Sequence, residues 1–198
     1  MQIKVISALL ASCLLSACAG EETKGSGSSP QLPSKPTNTP ELSQTLKEQP
    51  TIDDQFQVLY DRFDHTLDRS DSLTGLDENN DGIRDDIEIF INLLQVTEPE
   101  RNAIKQNARY LQKNLYHDWS DTSDENVVKA WRMGDEYLKV VACEEFVGID
   151  IDDGDNITKT LTALTYNTKA RTMHYIAFNR LQDGSVSTLL PAEAQYCE

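Results

Sequence analysis

Thr122-Ser123-Asp124-Glu125-Asn126-Val127-Val128-Lys129-Ala130-Trp131-Arg132-Met133-Gly134-Asp135-Glu136-Tyr137-Leu138-Lys139-Val140-Val141-Ala142-Cys143 decides the fold. Val127, Ala130, Trp131, Gly134, Tyr137, Leu138 and Val141 recur at steps of three and four, which places them on one face of a helix, with charged residues opposite. Thr122 followed three positions later by Glu125 has the spacing of a capping box, so the helix is expected to start there and to run to about Cys143. On this reading Trp131 belongs to the core.

The same period recurs on both sides. Ile52, Phe56, Leu59, Tyr60, Phe63 and Leu67 follow a capping sequence at Thr51 and predict a helix to about Arg69. Ile87, Phe90, Ile91 and Leu94 mark a short second helix. Thr97 with Glu100 forms a further capping box, Pro99 is tolerated in the first turn, and Ile104, Ala108, Leu111 and Leu115 give a third buried stripe. After a turn at Asp152-Asp153-Gly154, Asp155 is expected to cap one long last helix with Ile157, Leu161, Leu164, Met173, Ala177 and Leu181, closed by Gly184. The tail from Ser185 to Glu198 reads as extended. Short connections between amphipathic helices predict an all-α fold over residues 51–198, a small bundle of about five helices.

The N-terminus carries a different signal. Lys4 precedes an apolar run from Val5 to Ala17, shorter than the ~20 residues a membrane-spanning helix needs and of the length of a signal peptide, residues 1–17. The run closes in Leu15-Ser16-Ala17-Cys18, which resembles the lipobox of bacterial lipoproteins. The resemblance implies that Cys18 is lipidated, palmitate included, and becomes the new N-terminus, anchored by more than one acyl chain. Ala19, where an Asp would signal inner-membrane retention, makes the outer membrane facing the periplasm the expected address. Residues 18–50 then hold Pro30, Pro33, Pro36, Pro40 and Pro50 and no aromatic, so they read as a disordered tether.

Cysteine use agrees with an oxidising compartment. Of 4 cysteines, Cys13 leaves with the signal peptide and Cys18 is consumed by lipid, so Cys143 and Cys197 are expected to form one disulfide. The chain-entropy account puts a bridge over so long a loop at about 4 kcal/mol. No CxxC spacing exists, which removes thioredoxin-like chemistry and zinc ribbons.

The 198 residues carry 33 Asp+Glu against 18 Lys+Arg, a net charge of −15, which argues against nucleic acid or an anionic lipid surface as partner and for a bound cation or a basic protein. One motif gives that cation a place. Asp77-Glu78-Asn79-Asn80-Asp81-Gly82-Ile83-Arg84-Asp85-Asp86-Ile87-Glu88 has oxygen side chains at positions one, three and five, Gly at six and Glu at twelve, the pattern of an EF-hand loop. Calcium takes six to eight hard oxygens at about 2.3–2.6 Å, so the loop must turn alternate side chains inward and fold back at a glycine. Asp77, Asn79 and Asp81 would supply side-chain oxygens, Ile83 its carbonyl, Asp85 an oxygen directly or through water, and Glu88 both carboxylate oxygens. Position eight is Arg84, where paired hands place an aliphatic that meets a sister loop. The loop therefore looks like the isolated extracellular ones of dockerin and thrombospondin type 3 style, which implies a structural Ca2+ rather than a switch. A second acidic cluster, Asp150, Asp152, Asp153 and Asp155, lacks the glycine and closing Glu and reads as a turn and cap. The segment from Asn79 to Glu88, with the helical domain and C-terminal Cys after it, is also similar to a loosely defined set of uncharacterised proteobacterial lipoproteins, which implies no activity.

No reaction is written in the chain. His65, His117 and His174 form no HExxH or HxH arrangement, and neither G-x-S-x-G nor G-x-x-x-x-G-K occurs. Trp119 and Trp131 could stack on sugars. The expected function is a non-enzymatic, envelope-anchored, calcium-stabilised binding or structural lipoprotein whose protein partner the residues do not name. The alternative is an acidic periplasmic inhibitor or immunity-type protein that neutralises a basic toxin or enzyme.

Overall fold

The computed structural model describes residues 35–198. The expected signal sequence with Cys13, the lipobox-like stretch ending in Cys18 and the first part of the expected tether lie outside the described residues. Within them there are helices and no β-strand: α1 (Pro40–Lys47), α2 (Ile52–Phe63), α3 (Asp85–Leu93), α4 (Glu98–Asn114), α5 (Asp124–Phe146), α6 (Ile151–Thr165) and α7 (Lys169–Leu181), with single 3-10 turns at Asp64–Thr66 and Ala194–Tyr196. The all-α expectation is met, with two more helices than the pattern suggested.

Helix α4 is the axis of the bundle and packs on α3, α5 and α6, while α2 lies on α6. Its start is the one read from sequence: Thr97 accepts from Glu100 N–H, Glu100 returns a bond to Thr97 N–H at 2.7 Å, and a proline sits in the first turn. Ala103, Ile104, Ala108 and Leu111 then meet Phe56, Leu59, Phe90, Ile91, Ile157 and Leu161 in the main core. A smaller core joins Ala130 and Met133 of α5 to Phe178 and Leu181 of α7 around Trp119.

Four differences from the pattern have local causes. Residues 40–47, read as tether, are helix α1: Thr39 caps it, Pro40 suits the first turn, and Leu42 and Leu46 bury one turn apart, each worth about 1.5–3 kcal/mol. Helix α2 ends at Phe63 rather than Arg69, because Thr66 turns back to bond Phe63 O at 2.7 Å. Asp152-Asp153-Gly154 is no turn: Asp150, not Asp155, caps α6, accepting from Asp152 N–H at 2.9 Å, and the acids occupy the helix's first turn, where its dipole favours them. The expected long last helix breaks after Thr165, since Thr168 caps a new helix by accepting from Arg171 N–H.

The two tryptophans exchange roles. Trp119 is 2% exposed, donates to Asn114 O at 3.0 Å and packs on Phe178 at 5.2 Å, whereas Trp131 is 40% exposed. Met173, counted on a buried face, is also exposed. Helix α5 begins one residue later than its expected capping box, with Ser123 as N-cap and no side-chain cap bond. Cys143 and Cys197 form the expected disulfide, S–S 2.07 Å, which fastens the tail to α5. Gln106 of α4 holds the same tail by donating to Tyr196 O at 2.8 Å and accepting from Glu198 N–H at 3.3 Å.

Candidate metal centre

The loop of residues 77–88 connects the segment after α2 to the first turn of α3. Its chain reversal runs through Asn80 at φ 57° and Gly82 at φ 84°, the second of which only glycine adopts at little cost. Alternate side chains do turn toward the loop's own backbone. Asp77 accepts from Asp81 N–H at 3.2 Å and from Gly82 N–H at 3.0 Å, and Asn79 Oδ1 accepts from Asp81 N–H at 3.1 Å. Asp81 accepts from Ile83 N–H at 3.0 Å, and Asp85 accepts from Glu78 N–H at 3.1 Å. The two ends meet where Asn79 Nδ2 donates to Glu88 Oε2 at 3.2 Å.

Each ligand read from sequence thus lies in one folded loop, but the carboxylates do not converge on a point. Among the described residues no three His, Cys, Asp or Glu side chains are grouped closely enough to share an ion. Asp77, Asp81 and Asp85 spend oxygens on backbone N–H groups, and Glu88 Oε1 takes the ammonium of Lys105, from α4, at 2.7 Å. Burial works to raise the Glu88 carboxyl, yet the Lys105 ammonium and hydrogen bonds from Lys105 and Asn92 hold it below its ordinary value. The donor set is all oxygen in the EF-hand order, which fits calcium and not zinc. Taking that ion requires Lys105 to give up Glu88.

The loop is fixed to the bundle by two arginines that the sequence reading did not place in this role. Arg84, at position eight, is fully buried: it clasps Asp86 at 2.6 and 3.0 Å and donates to the C-terminal carbonyls of α6, Leu164 O at 2.9 Å and Thr165 O at 3.2 Å. It thereby caps the C-terminal end of α6. Arg171 of α7, also fully buried, gathers the incoming segment through Asp68 O at 2.6 Å, Ser72 O at 2.8 Å and Leu73 O at 3.0 Å, and pairs with Asp68 at 3.1 Å. An arginine at a loop position that favours an aliphatic was the one available signal.

The second acidic cluster divides its labour. Asp150 caps α6, Asp155 pairs with Lys159 at 2.6 Å, and Asp153 accepts from Ile52 N–H at 3.0 Å and Asp53 N–H at 3.2 Å, capping α2. His65 lies in the 3-10 turn and the ring Nε2 of His174 is 3.0 Å from Asn114 O, while His117 packs on Trp119 at 5.3 Å and has its pKa lowered by burial and by the charges of Lys129, Lys113 and His174. One further group went unnoticed among so many acids. Glu144 of α5 is 4% exposed and accepts from Asn107 Nδ2 at 2.9 Å; burial, reinforced by the Asp153 charge and opposed by the Asn107 bond, pushes its carboxyl up to about 7. No family model, no curated protein and no solved structure matches the chain.

Proposed function

We propose that the chain is a lipid-anchored protein of the bacterial envelope, held through Cys18 at the outer membrane facing the periplasm. Its helical domain is stabilised by a structural calcium ion at Asp77, Asn79, Asp81, Ile83, Asp85 and Glu88, and it binds or scaffolds another envelope component rather than catalysing a reaction. The observation that carries the calcium reading is the contact from Asn79 to Glu88, which closes positions three and twelve of the loop on each other while Asp77 gathers the N–H groups at positions five and six. A net charge of −15 favours one second reading, an acidic inhibitor of a basic protein.

Calorimetry and thermal melting of the purified protein after chelation test the ion. Calcium at about a hundred times Kd should stabilise by about 2.7 kcal/mol, magnesium by less, and both Asp77→Ala and Glu88→Gln should remove most of the effect. No heat and no melting shift at millimolar calcium would reduce the loop to an acidic turn. Labelled fatty acid should enter the wild type and not Cys18→Ser; label in that variant would end the lipoprotein reading.

A further inference from the structure

Between the C-terminal half of α5 and the start of α6 lies a hollow of about 330 Å³, none of whose lining residues belongs to the 77–88 loop. Its walls are apolar: Tyr137 and Val141 from α5, and Ile149 and Ile151 from the connection into α6. Its floor is Glu144. Only Oε1 of that carboxylate is bonded, to Asn107; Oε2 accepts no hydrogen bond among the described residues and lies beside Gly154 and Ile149. A Cβ on Gly154 would stand 3.2 Å from Oε2, so the glycine leaves the carboxylate its place against α6. At the mouth, Glu145 and Asp152 are exposed and make no ion pair among the described residues, while Asp155 is already matched by Lys159.

A carboxylate oxygen without a donor, on a side chain 4% exposed at the bottom of an apolar hollow with an acidic mouth, asks for a cation that brings its own donors and an aliphatic stem. We propose that this hollow is a subsite for a lysine or arginine side chain of a basic polypeptide, its stem along Tyr137, Val141 and Ile149 and its charged head on Oε2 of Glu144. The walls accept methylene groups as they would any apolar surface, and the Tyr137 ring adds its face to the cation. The net charge of −15 draws such a partner in from a distance. The inference is independent of the calcium ion and of the lipid anchor, and it gives the binding role a chemistry.

The test titrates the purified protein with Nα-acetyl-lysine methylamide, Nα-acetyl-arginine methylamide and the uncharged Nα-acetyl-norleucine methylamide, followed by amide NMR shifts at Glu144, Ile149 and Gly154, above the pH at which Glu144 ionises. The lysine or arginine probe should saturate, the norleucine probe should not, and Glu144→Gln should weaken the cationic probe about tenfold or more. Ile151→Lys, at a side chain 61% exposed where folding is not at stake, should abolish binding by filling the mouth with an ammonium of the chain itself. Equal binding of norleucine, a Glu144→Gln protein that binds as tightly as the wild type, or no saturable shift at these three amides would each overturn the proposal.

Discussion

Replacing Glu144 by Gln should stabilise the protein in alkaline solution and do so only there. The carboxyl has an ordinary value of 4.5 and is pushed up to about 7 in the fold, chiefly by burial. Between those values the folded state holds a proton that the unfolded chain has released, so the group's favourable contribution is complete below pH 4.5 and is lost as pH rises through about 7. At 1.36 kcal/mol per unit the loss amounts to about 3 kcal/mol above neutrality. Glutamine keeps an oxygen for Asn107 and never ionises, but its amide N–H groups find no acceptor beside Gly154 and Ile149, which costs about 1 kcal/mol. The variant should therefore melt about 4–8 °C above the wild type near pH 8.5 and level with it or slightly below near pH 4.5, given about 2–4 °C per kcal/mol at this size. Far-UV circular dichroism melts across this range, in calcium-free buffer, measure the difference directly. A melting difference that does not change with pH would show that Glu144 titrates in the fold as it does in the unfolded chain, and the account of its burial would fall.

Three other perturbations probe separate parts of the molecule. Lys105→Met removes the ammonium that must leave Glu88 before an ion can enter, so calcium should bind about tenfold tighter or better by calorimetry; an unchanged Kd would mean the pair does not compete with the ion. Arg84→Met strands Asp86 and two carbonyls of α6 and should cost about 3–5 kcal/mol, whereas Arg69→Met, in an exposed pair with Asp64, should move the melting temperature hardly at all; similar shifts for both would refute the buried clasp. Reducing the Cys143–Cys197 bridge should lower the melting temperature by several degrees and speed hydrogen exchange at Tyr196 and Glu198, and exchange that ignores the reductant would show that Gln106 and the Arg109–Glu198 pair hold the tail without it.

Much of the bundle could be read because its helices advertise themselves locally. The capping box at Thr97 and the stripe from Ile104 to Leu115 concern neighbours in sequence, and the structure repeats them. Helix α1 escaped because Thr39-Pro40-Glu41 looks the same in a tether as at a helix start; what decides is the surface that Leu42 and Leu46 find, and composition does not contain it. The break before α7 escaped for the opposite reason, since apolar positions continue at helical spacing across Tyr166 and Asn167 and only the Thr168 cap interrupts them. Trp131 sits near the edge of a face that drifts over a 23-residue helix, while Trp119 lies in a connection with no periodic neighbours to announce its burial. At the site, the order of oxygens within twelve residues was legible because an EF-hand loop is a local pattern. Lys105, Arg171 and Glu144 were not, because each acquires its role from a residue on another element, 17, 103 and 37 positions away.

Asp153 illustrates what such distance costs in time. It heads α6 and also closes the N-terminus of α2, which lies 101 positions earlier at Ile52, and Thr160 adds a bond to Asp53 across 107 positions. Helix α2 has a local cap at Thr51, which accepts from Asp54 N–H at 3.0 Å, but the N–H groups of Ile52 and Asp53 and the apolar face it lays on α6 find their partners only once most of the chain has been synthesised. For an all-helical protein this is a topology rich in non-local closure, and chains of that kind reach their transition state more slowly than bundles joined neighbour to neighbour. In a protein exported as the N-terminal reading proposes, α2 would wait for Asp153 and the face of α6 while the chain is threaded, which would delay its docking on the wrong side of the membrane.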